Sequence, residues 1–187
     1  MMGLRPSTTG IYGTLKWFRD IPPYREWVTL PQYFRANGYA AWGGGKLFHQ
    51  PHGKFSDPAS WDRQYSTRMG TPHPPADLRY RHGLKEKFSN AILARLIDWA
   101  PIDQSIQETA DWKTAEGAAD FLKQAHQKPF FLGCGIYLPH LPWYLPREYF
   151  EMHPLEAIRL PSYRSDDFDD IPEAGRRMAA KAGAIIR

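Results

Sequence analysis

The most informative part of this 187-residue chain is the stretch Leu30-Pro-Gln-Tyr-Phe-Arg-Ala-Asn-Gly-Tyr-Ala-Ala-Trp-Gly-Gly-Gly-Lys-Leu-Phe-His49. Thr29 just before it, with Gln32 three residues on, forms a capping-box pattern that predicts a short helix. Residues 37–38, Asn-Gly, predict the end of that helix, because glycine adopts the left-handed conformation of a helix C-terminus. A buried strand is then predicted at residues 39–42, followed by three glycines that allow a sharp turn or a close approach to a ligand.

A second stretch has the same organisation, a strand followed by groups that bind anions: Lys128-Pro-Phe-Phe-Leu-Gly-Cys-Gly-Ile-Tyr-Leu-Pro-His140. Residues 130–136 form a continuous apolar run, which is typical of a strand in a sheet that is covered on both faces. The first strand leads to Lys46 and His49, and the second leads to His140. Ligands of parallel α/β sheets bind beyond the carboxyl ends of the strands. The three side chains therefore predict an anion site.

The remaining elements support an α/β fold class. Apolar residues repeat at helical spacing over residues 114–127, and helices are also predicted to begin near Pro146 and to cover residues 175–186. A helix followed by a strand, twice over, is typical of α/β proteins. Residues 89–99 have a helical pattern, whereas the rest of residues 50–110 is a proline-, histidine- and aromatic-rich loop.

Composition bounds the function without choosing it. The length fits one domain with a real core. The net charge of +4 attracts anionic substrates or nucleic acid, but does not decide between them. No apolar run is long enough to cross a bilayer. The single cysteine, Cys134, lies within the second apolar strand and is predicted to be a small buried hydrophobe rather than a reactive group.

The residues alone leave the site open. Lys46 supplies a point charge for an oxyanion, and His49 supplies a hydrogen bond or a proton to a leaving oxygen. The alternative is that Lys46 is a solvated lysine at a strand end and His49 an ordinary loop histidine. The residues alone favour this alternative over an anion site. His140 lies between two prolines that stiffen its loop, and a packed corner is the alternative.

Other polar clusters carry weaker signals. The run Asp166-Asp-Phe-Asp-Asp170 offers oxygen ligands for a hard cation, but a solvated acidic loop explains it better. The basic run over residues 79–87 resembles a nucleic-acid patch without a known motif, and a solvated surface is the simpler explanation. Five other histidines lack zinc-site spacing and are expected to be exposed: His52, His73, His82, His126 and His153.

Several segments together, in order along nearly the whole chain, resemble the sulfatase family and its iduronate-2-sulfatase-like branch. They are Gly3-Leu-Arg-Pro-Ser-Thr-Thr-Gly-Ile-Tyr12, the stretch from Leu30 to Tyr39, Gly45-Lys-Leu-Phe-His49, Asp111-Trp-Lys-Thr-Ala115, Lys128-Pro-Phe-Phe-Leu132, Pro139-His-Leu-Pro142, Pro154-Leu-Glu-Ala-Ile-Arg-Leu-Pro161 and Asp169-Asp-Ile-Pro172. The resemblance implies a partial alkaline-phosphatase-like α/β fold with a mostly parallel sheet flanked by helices. Residues 1–187 would form a single partial domain.

The resemblance also implies hydrolysis of sulfate esters, with sulfated carbohydrate as the substrate class. The family uses a formylglycine nucleophile and a calcium ion. By motif position, Lys46 and His49 resemble the family's first Lys/His pair at the sulfate group, and His140 resembles its later histidine. No cofactor-binding or metal-binding residue of this chain is assigned.

The departures from the family pattern limit what is expected of this chain. Its nucleophile segment, Cys-x-Pro-Ser-Arg, would precede Gly3, and its calcium ligands would lie outside residues 1–187 on both sides. Little or no hydrolysis is therefore expected from this chain alone, and the exposed sheet edges predict marginal stability. The location stays open, since no leader is visible whereas the resemblance implies export to the periplasm, the extracellular space or the lysosome.

Two alternatives remain at this stage: a noncatalytic anion-binding remnant and a phosphoryl-transfer relative of the same superfamily. A complementary chain that completes the domain is a further possible partner. Neither nucleic acid nor a membrane is expected as a partner.

Overall fold

The structure, a computed structural model, describes residues 1–13, 16–49, 53–66, 97–162, 164 and 166–186. They fall into two compact units, the first from the described parts of residues 1–72 and 104–140 and the second from those of residues 73–103 and 141–187. Lys46, His49 and His140 all belong to the first unit. The single partial domain over residues 1–187 stays a prediction.

The described residues form strands, α-helices and short 3₁₀ helices that alternate along the chain. The strands are β1 (Ala40–Gly45), β2 (Arg63–Ser66), β3 (Trp99–Ile102), β4 (Phe130–Gly135) and β5 (Trp143–Pro146). The α-helices are α1 (Pro6–Thr9), α2 (Leu30–Ala36), α3 (Ala110–Leu122), α4 (Arg147–Glu151) and α5 (Glu173–Ile186). The 3₁₀ helices cover Phe18–Asp20, Pro22–Tyr24, Gly53–Ser56, Pro58–Ser60, Ile106–Glu108 and Leu155–Ala157.

The first unit contains a three-stranded parallel sheet in the order β2-β1-β4. β1 and β4 pair in register, from Ala40 opposite Phe130 to Gly45 opposite Gly135, so both strands end at the same edge of the sheet. The predicted α/β class with parallel strands is confirmed. It positions the site because whatever follows the two strands emerges on one side.

Helices cover both faces of this sheet. On one face, Phe34 of α2 stacks on Phe131 with a centroid distance of 4.8 Å, and Trp61 stacks on the same ring at 6.2 Å. On the other face, Trp42 packs against Phe121 of α3 at 4.7 Å. Neighbouring residues of one strand point to opposite faces. Because Phe131 is opposite Ala41 rather than Trp42, the side chains of Trp42 and Phe131 point to opposite faces and contact different helices.

The prediction for α2 is confirmed at both ends. The Thr29 backbone N–H donates to Gln32 Oε1 at 2.9 Å, which satisfies one of the free donors at the helix start. The helix ends at Ala36, and Gly38 takes a positive φ of 87°. The strand that follows is longer than predicted, because β1 runs through the three glycines instead of ending at Trp42. The absence of side chains there lets the Tyr65 ring lie directly on Gly44.

The start of α3 lies before the predicted one. The helix begins at Ala110 rather than at residue 114 because Thr109 acts as its N-cap, and Thr109 Oγ1 accepts a hydrogen bond from Trp112 N at 3.3 Å. The extra first turn matters for function, since it contains Asp111 close to the end of β4.

Two burial predictions are wrong. Cys134 is exposed rather than buried. β4 is an outer strand of the described sheet, so Cys134 has no described strand on its outer side, although helices cover both faces of the sheet. His126 is partly buried rather than exposed, because its ring packs between Phe121 and Phe130 with centroid distances of 4.3 and 4.7 Å.

The second unit is built around the parallel pair β3 and β5, with Trp99 opposite Trp143. Its core consists of Ala100, Ile102 and Tyr144, and the Tyr144 hydroxyl donates to the Asp98 carboxylate. The prediction of helix at Trp99 is wrong, since that residue begins β3. Residues 89–96 of that prediction, the basic run at 79–87, and His52, His73 and His82 lie outside the described residues.

Within the described ranges, no helix is both long and apolar enough to cross a membrane.

Candidate functional site

Lys46 leaves the sheet at its carboxyl edge through a turn that only glycine permits. Gly45 has a φ of 72°, and a Cβ at that position would collide with the carbonyl oxygen of Gly135. The Lys46 backbone N–H donates to that same oxygen at 2.8 Å. The two chain segments are therefore locked together at the point where both strands end.

The Lys46 side chain returns over the loops that follow the strands. Its Nζ atom donates to the backbone oxygen of His49 at 3.3 Å and lies 5.7 Å from the centroid of the Tyr137 ring. In the part of the chain that the structure describes, no carboxylate pairs with this ammonium group. The positive charge is thus held by a carbonyl and a ring face rather than neutralised.

His140 lies in the loop that follows β4. The Tyr137 hydroxyl and His140 Nδ1 are hydrogen-bonded at 3.0 Å, and the two rings stack with a centroid distance of 4.7 Å and an interplanar angle of 30°. The His140 backbone N–H donates to the Tyr137 oxygen at 3.1 Å, which closes the turn between them. Tyr137 therefore contacts both His140 and Lys46.

The backbone of this loop is held by α3. The two carboxylate oxygens of Asp111 accept hydrogen bonds from the backbone N–H groups of Tyr137 at 2.8 Å and Leu138 at 3.0 Å. Burial, with the Asp111 charge as a further cause, raises the pKa of the Tyr137 hydroxyl above its usual value. The phenol consequently keeps its proton at neutral pH.

His49 is exposed and stands within electrostatic reach of the other two groups. Partial desolvation, followed by the positive charges of Lys46 and His140, lowers the pKa of His49 below its usual value. The structure therefore brings together the three residues that the sequence singled out. They lie beyond the carboxyl ends of β1 and β4, at the edge where parallel sheets bind ligands.

A lysine and two histidines in this arrangement suit a tetrahedral oxyanion. Lys46 contributes a fixed positive charge, and each imidazole contributes an N–H donor or, when protonated, a charge-assisted one. Because the cations repel one another, an anion among them relieves that repulsion. The same groups also favour negative charge that develops on a transferring group or a leaving oxygen.

Sequence reasoning did not identify the supporting residues. Asp111 stands out in the sequence only as part of a family-like segment, and no sequence pattern marks Tyr137 as a supporting residue. Acidic residues are common in the first turn of a helix because they interact favourably with the helix dipole. The position of Asp111 in the sequence therefore does not predict that it contacts a loop.

The other candidate clusters do not assemble into sites. The acidic run at 166–170 forms an exposed turn, in which Asp166 pairs with Arg164 at 2.7 Å. Within the described residues, no group of three or more His, Cys, Asp or Glu side chains is placed to hold a metal ion. The described residues thus do not fit the calcium ion that the family resemblance implies.

Sequence comparison with known proteins identifies relatives of this chain, although no protein-family model matches it. A sulfatase of Formosa agariphila is 33% identical over 185 residues, which cover 95% of this chain and 36% of the relative. The iduronate 2-sulfatases of mouse and human are 32% and 30% identical, over 86% of this chain and 29% of each relative. The chain belongs to the sulfatase family. The α/β unit with its parallel strands is accordingly part of the alkaline-phosphatase-like fold of sulfatases.

The match to these sulfatases covers most of this chain but only a minor part of each relative. The chain spans about a third of the length of the curated relatives it matches.

Proposed function

We propose that the protein is a sulfuric ester hydrolase and that Lys46, His49 and His140 hold the sulfate group of its substrate. The observation that carries this proposal is the convergence of the three groups at one edge of the β1–β4 pair, with Tyr137 contacting two of them. The names of the relatives point to the same chemistry.

In this proposal the roles follow from the chemistry of each group. Lys46 balances the charge of the sulfate oxygens. His140 and His49 donate hydrogen bonds, and one of them passes a proton to the ester oxygen as the S–O bond breaks, so that the alcohol leaves neutral. The formylglycine of sulfatases would supply the nucleophile for sulfur as the S–O bond breaks, and their calcium ion would supply Lewis acidity.

Sulfated carbohydrate is the substrate class that we propose. Two of the relatives are named iduronate 2-sulfatases, which act on a sulfated sugar acid. The choice of sugar does not follow from the three cationic groups, because they contact the sulfate rather than the ring that carries it.

Binding of inorganic sulfate tests the proposal, measured by calorimetry for the 187-residue chain and three variants. Lys46→Met removes a charge-assisted donor, and we expect sulfate affinity to fall at least about tenfold. His140→Gln should also weaken binding. Lys123→Met removes an exposed lysine just after the C-terminal end of α3, 76% accessible, and should leave affinity unchanged. Equal affinity of the wild type and Lys46→Met would end the proposal.

Two further measurements separate the alternatives. An inorganic phosphate titration at the same pH distinguishes a sulfate site from a phosphoryl-transfer site, which would prefer the phosphate dianion. Turnover of an aryl sulfate by this chain would exclude a noncatalytic anion-binding domain, whereas absence of turnover agrees with both alternatives. We expect little or no turnover from the 187-residue chain, and rapid hydrolysis would contradict that expectation.

A further inference from the structure

We propose that Tyr137 is a positioning residue that orients His140 and Lys46 together, and that Asp111 positions Tyr137. The inference rests on the proposed function only in naming sulfate as the anion. The positioning itself is a property of the contacts between these four residues.

The first contact fixes the imidazole of His140. A phenol both donates and accepts hydrogen bonds, and the Tyr137 hydroxyl lies 3.0 Å from Nδ1. The hydroxyl can either donate to Nδ1 or accept from it, and in this proposal it donates whenever the imidazole is neutral. A neutral imidazole whose Nδ1 accepts must carry its proton on Nε2. Tyr137 thereby selects one tautomer, while the stacked rings limit rotation about the side-chain bonds.

The second contact restrains Lys46. The ammonium nitrogen lies 5.7 Å from the Tyr137 ring centroid, within the range where a ring face attracts a cation. A lysine side chain has many rotamers, and the half-buried Lys46, which has no carboxylate partner among the described residues, would sample them without this ring. One aromatic ring thus holds a lysine and a histidine that are far apart in the sequence.

The third contact explains why Tyr137 itself stays in place. Asp111 accepts from two successive backbone N–H groups of the loop, at 2.8 and 3.0 Å. Hydrogen bonds to a carboxylate are stronger than neutral ones. Asp111 lies in the first turn of α3, and this helix is packed on the sheet. The loop geometry after β4 is therefore set by a rigid element.

The decisive test is the tautomer of His140 in the anion-free chain, measured by long-range ¹H–¹⁵N correlation with the ring neutral. We expect the Nε2–H form to dominate in the wild type. Tyr137→Phe keeps the ring but removes the hydroxyl, and should shift His140 to a mixture of both tautomers. Tyr33→Phe, at a tyrosine that is 61% exposed on α2, should leave the tautomer unchanged. An unchanged tautomer ratio in Tyr137→Phe would overturn the proposal.

Sulfate titration of the same variants measures the consequence for binding. Loss of one hydrogen bond in Tyr137→Phe should weaken sulfate binding about threefold to tenfold. Tyr137→Leu also removes the ring face, and should weaken binding further by about twofold to fivefold. A merely structural tyrosine would not separate these two variants in that order, so equal affinities in both would count against the role of the ring.

Asp111→Asn provides a second route that does not alter Tyr137. An amide offers one acceptor oxygen and turns a donor toward one of the backbone N–H groups. We expect faster amide exchange at residues 137 and 138 and a mixed His140 tautomer. Asp120→Asn on the same helix, where the side chain is 60% exposed, should change neither. Unchanged exchange and tautomer in Asp111→Asn would overturn the clamp.

The two proposals fail separately. If the wild type does not bind sulfate, the proposed function is wrong, and the tautomer measurements still decide whether Tyr137 positions His140. If sulfate binds and Lys46→Met abolishes binding, yet Tyr137→Phe changes neither tautomer nor affinity, the sulfate site stands and the positioning role is wrong.

Discussion

Two polar assemblies of the first unit differ in whether their charges are compensated by a partner of opposite charge. In the first, which we call the buried network, Arg19 donates to both carboxylate oxygens of Asp57, at 2.6 and 2.9 Å. Ser60 donates to the same carboxylate, and the Ser60 and Thr29 hydroxyls are hydrogen-bonded at 2.5 Å. Asp57 has only 2% of its side chain exposed, so its charge is sequestered and compensated.

The second assembly, the cationic cluster of Lys46, His49 and His140, does the opposite. It gathers positive or protonatable groups at a partly open edge, where partial desolvation, followed by the charges of Lys46 and His140, lowers the pKa of His49. Such an arrangement disfavours the folded state slightly and so is not explained by stability. The buried network is explained by the stability of the fold, whereas the cationic cluster is explained by the anion that we propose it binds.

The largest expected effect concerns the buried network. Arg19→Met leaves the Asp57 carboxylate buried without its partner, and should lower the free energy of unfolding by about 3–5 kcal/mol. Lys123→Met breaks an exposed pair of similar chemistry, and should cost less than about 1 kcal/mol. Urea unfolding followed by tryptophan fluorescence measures both. Equal losses in the two variants would remove the distinction between buried and exposed charges that the comparison draws.

The next effect concerns the turn that delivers Lys46 to the cationic cluster. Gly45→Ala adds a Cβ at positive φ and against the backbone of Gly135, and should lower the free energy of unfolding by about 2–4 kcal/mol. Gly10→Ala has a similar φ of 67° and open space around it, so only the backbone cost of about 1–2 kcal/mol is expected.

The difference between these two glycine variants isolates the close approach of the two strand ends. It is measured by the same urea unfolding, and sulfate titration of the folded fraction shows whether Lys46 is still delivered. If Gly45→Ala costs no more than Gly10→Ala, the contact between the strand ends does not matter.

Much of the architecture that carries the site was predictable because its signals are local. The capping box at Thr29, the Asn-Gly stop and the apolar run of β4 each depend on neighbours in sequence. The rule that ligands bind at the carboxyl ends of parallel strands then predicted where Lys46 and His140 would lie. The structure brings them to the same edge, while their catalytic roles stay a proposal.

The rest was not predictable because it depends on contacts between distant segments. The hydroxyl of Tyr137 finds His140 only once the loop after β4 has folded, and Asp111 reaches that loop across 26 positions of sequence. The exposure of Cys134 depends on which strands lie beside β4. An apolar sequence predicts that a strand prefers to be buried, whereas the elements packed beside it in space determine whether each side chain is buried.

A smaller effect tests the cationic cluster through His49. Its pKa is lowered, so the unfolded chain binds more protons between the depressed folded value and the ordinary value of about 6.5. Stability without ligand should therefore rise slightly with pH in that window, the gain being small because His49 is exposed.

Bound sulfate should shift the pKa of His49 in the opposite direction. An anion beside the ring favours the imidazolium, so NMR titration should show the pKa of His49 moving up on adding sulfate. By linkage, sulfate should bind more tightly as pH falls through the His49 titration. His153, an exposed histidine of the second unit, is the control and should not respond. A sulfate-bound form with an unmoved His49 would separate this residue from the anion.

The smallest expected effect tests the edge of the sheet that carries the cluster. Cys134→Ser replaces an exposed thiol on β4, and should change the free energy of unfolding by less than about 0.5 kcal/mol. Ala41→Ser, on the neighbouring β1 at 0% exposure, buries a hydroxyl and should cost about 1–3 kcal/mol. Urea unfolding compares them, and alkylation of the native thiol reports its accessibility directly. A Cys134→Ser loss as large as that of Ala41→Ser, with a thiol that resists alkylation, would mean that Cys134 is buried in solution, as its apolar neighbours in the sequence had predicted.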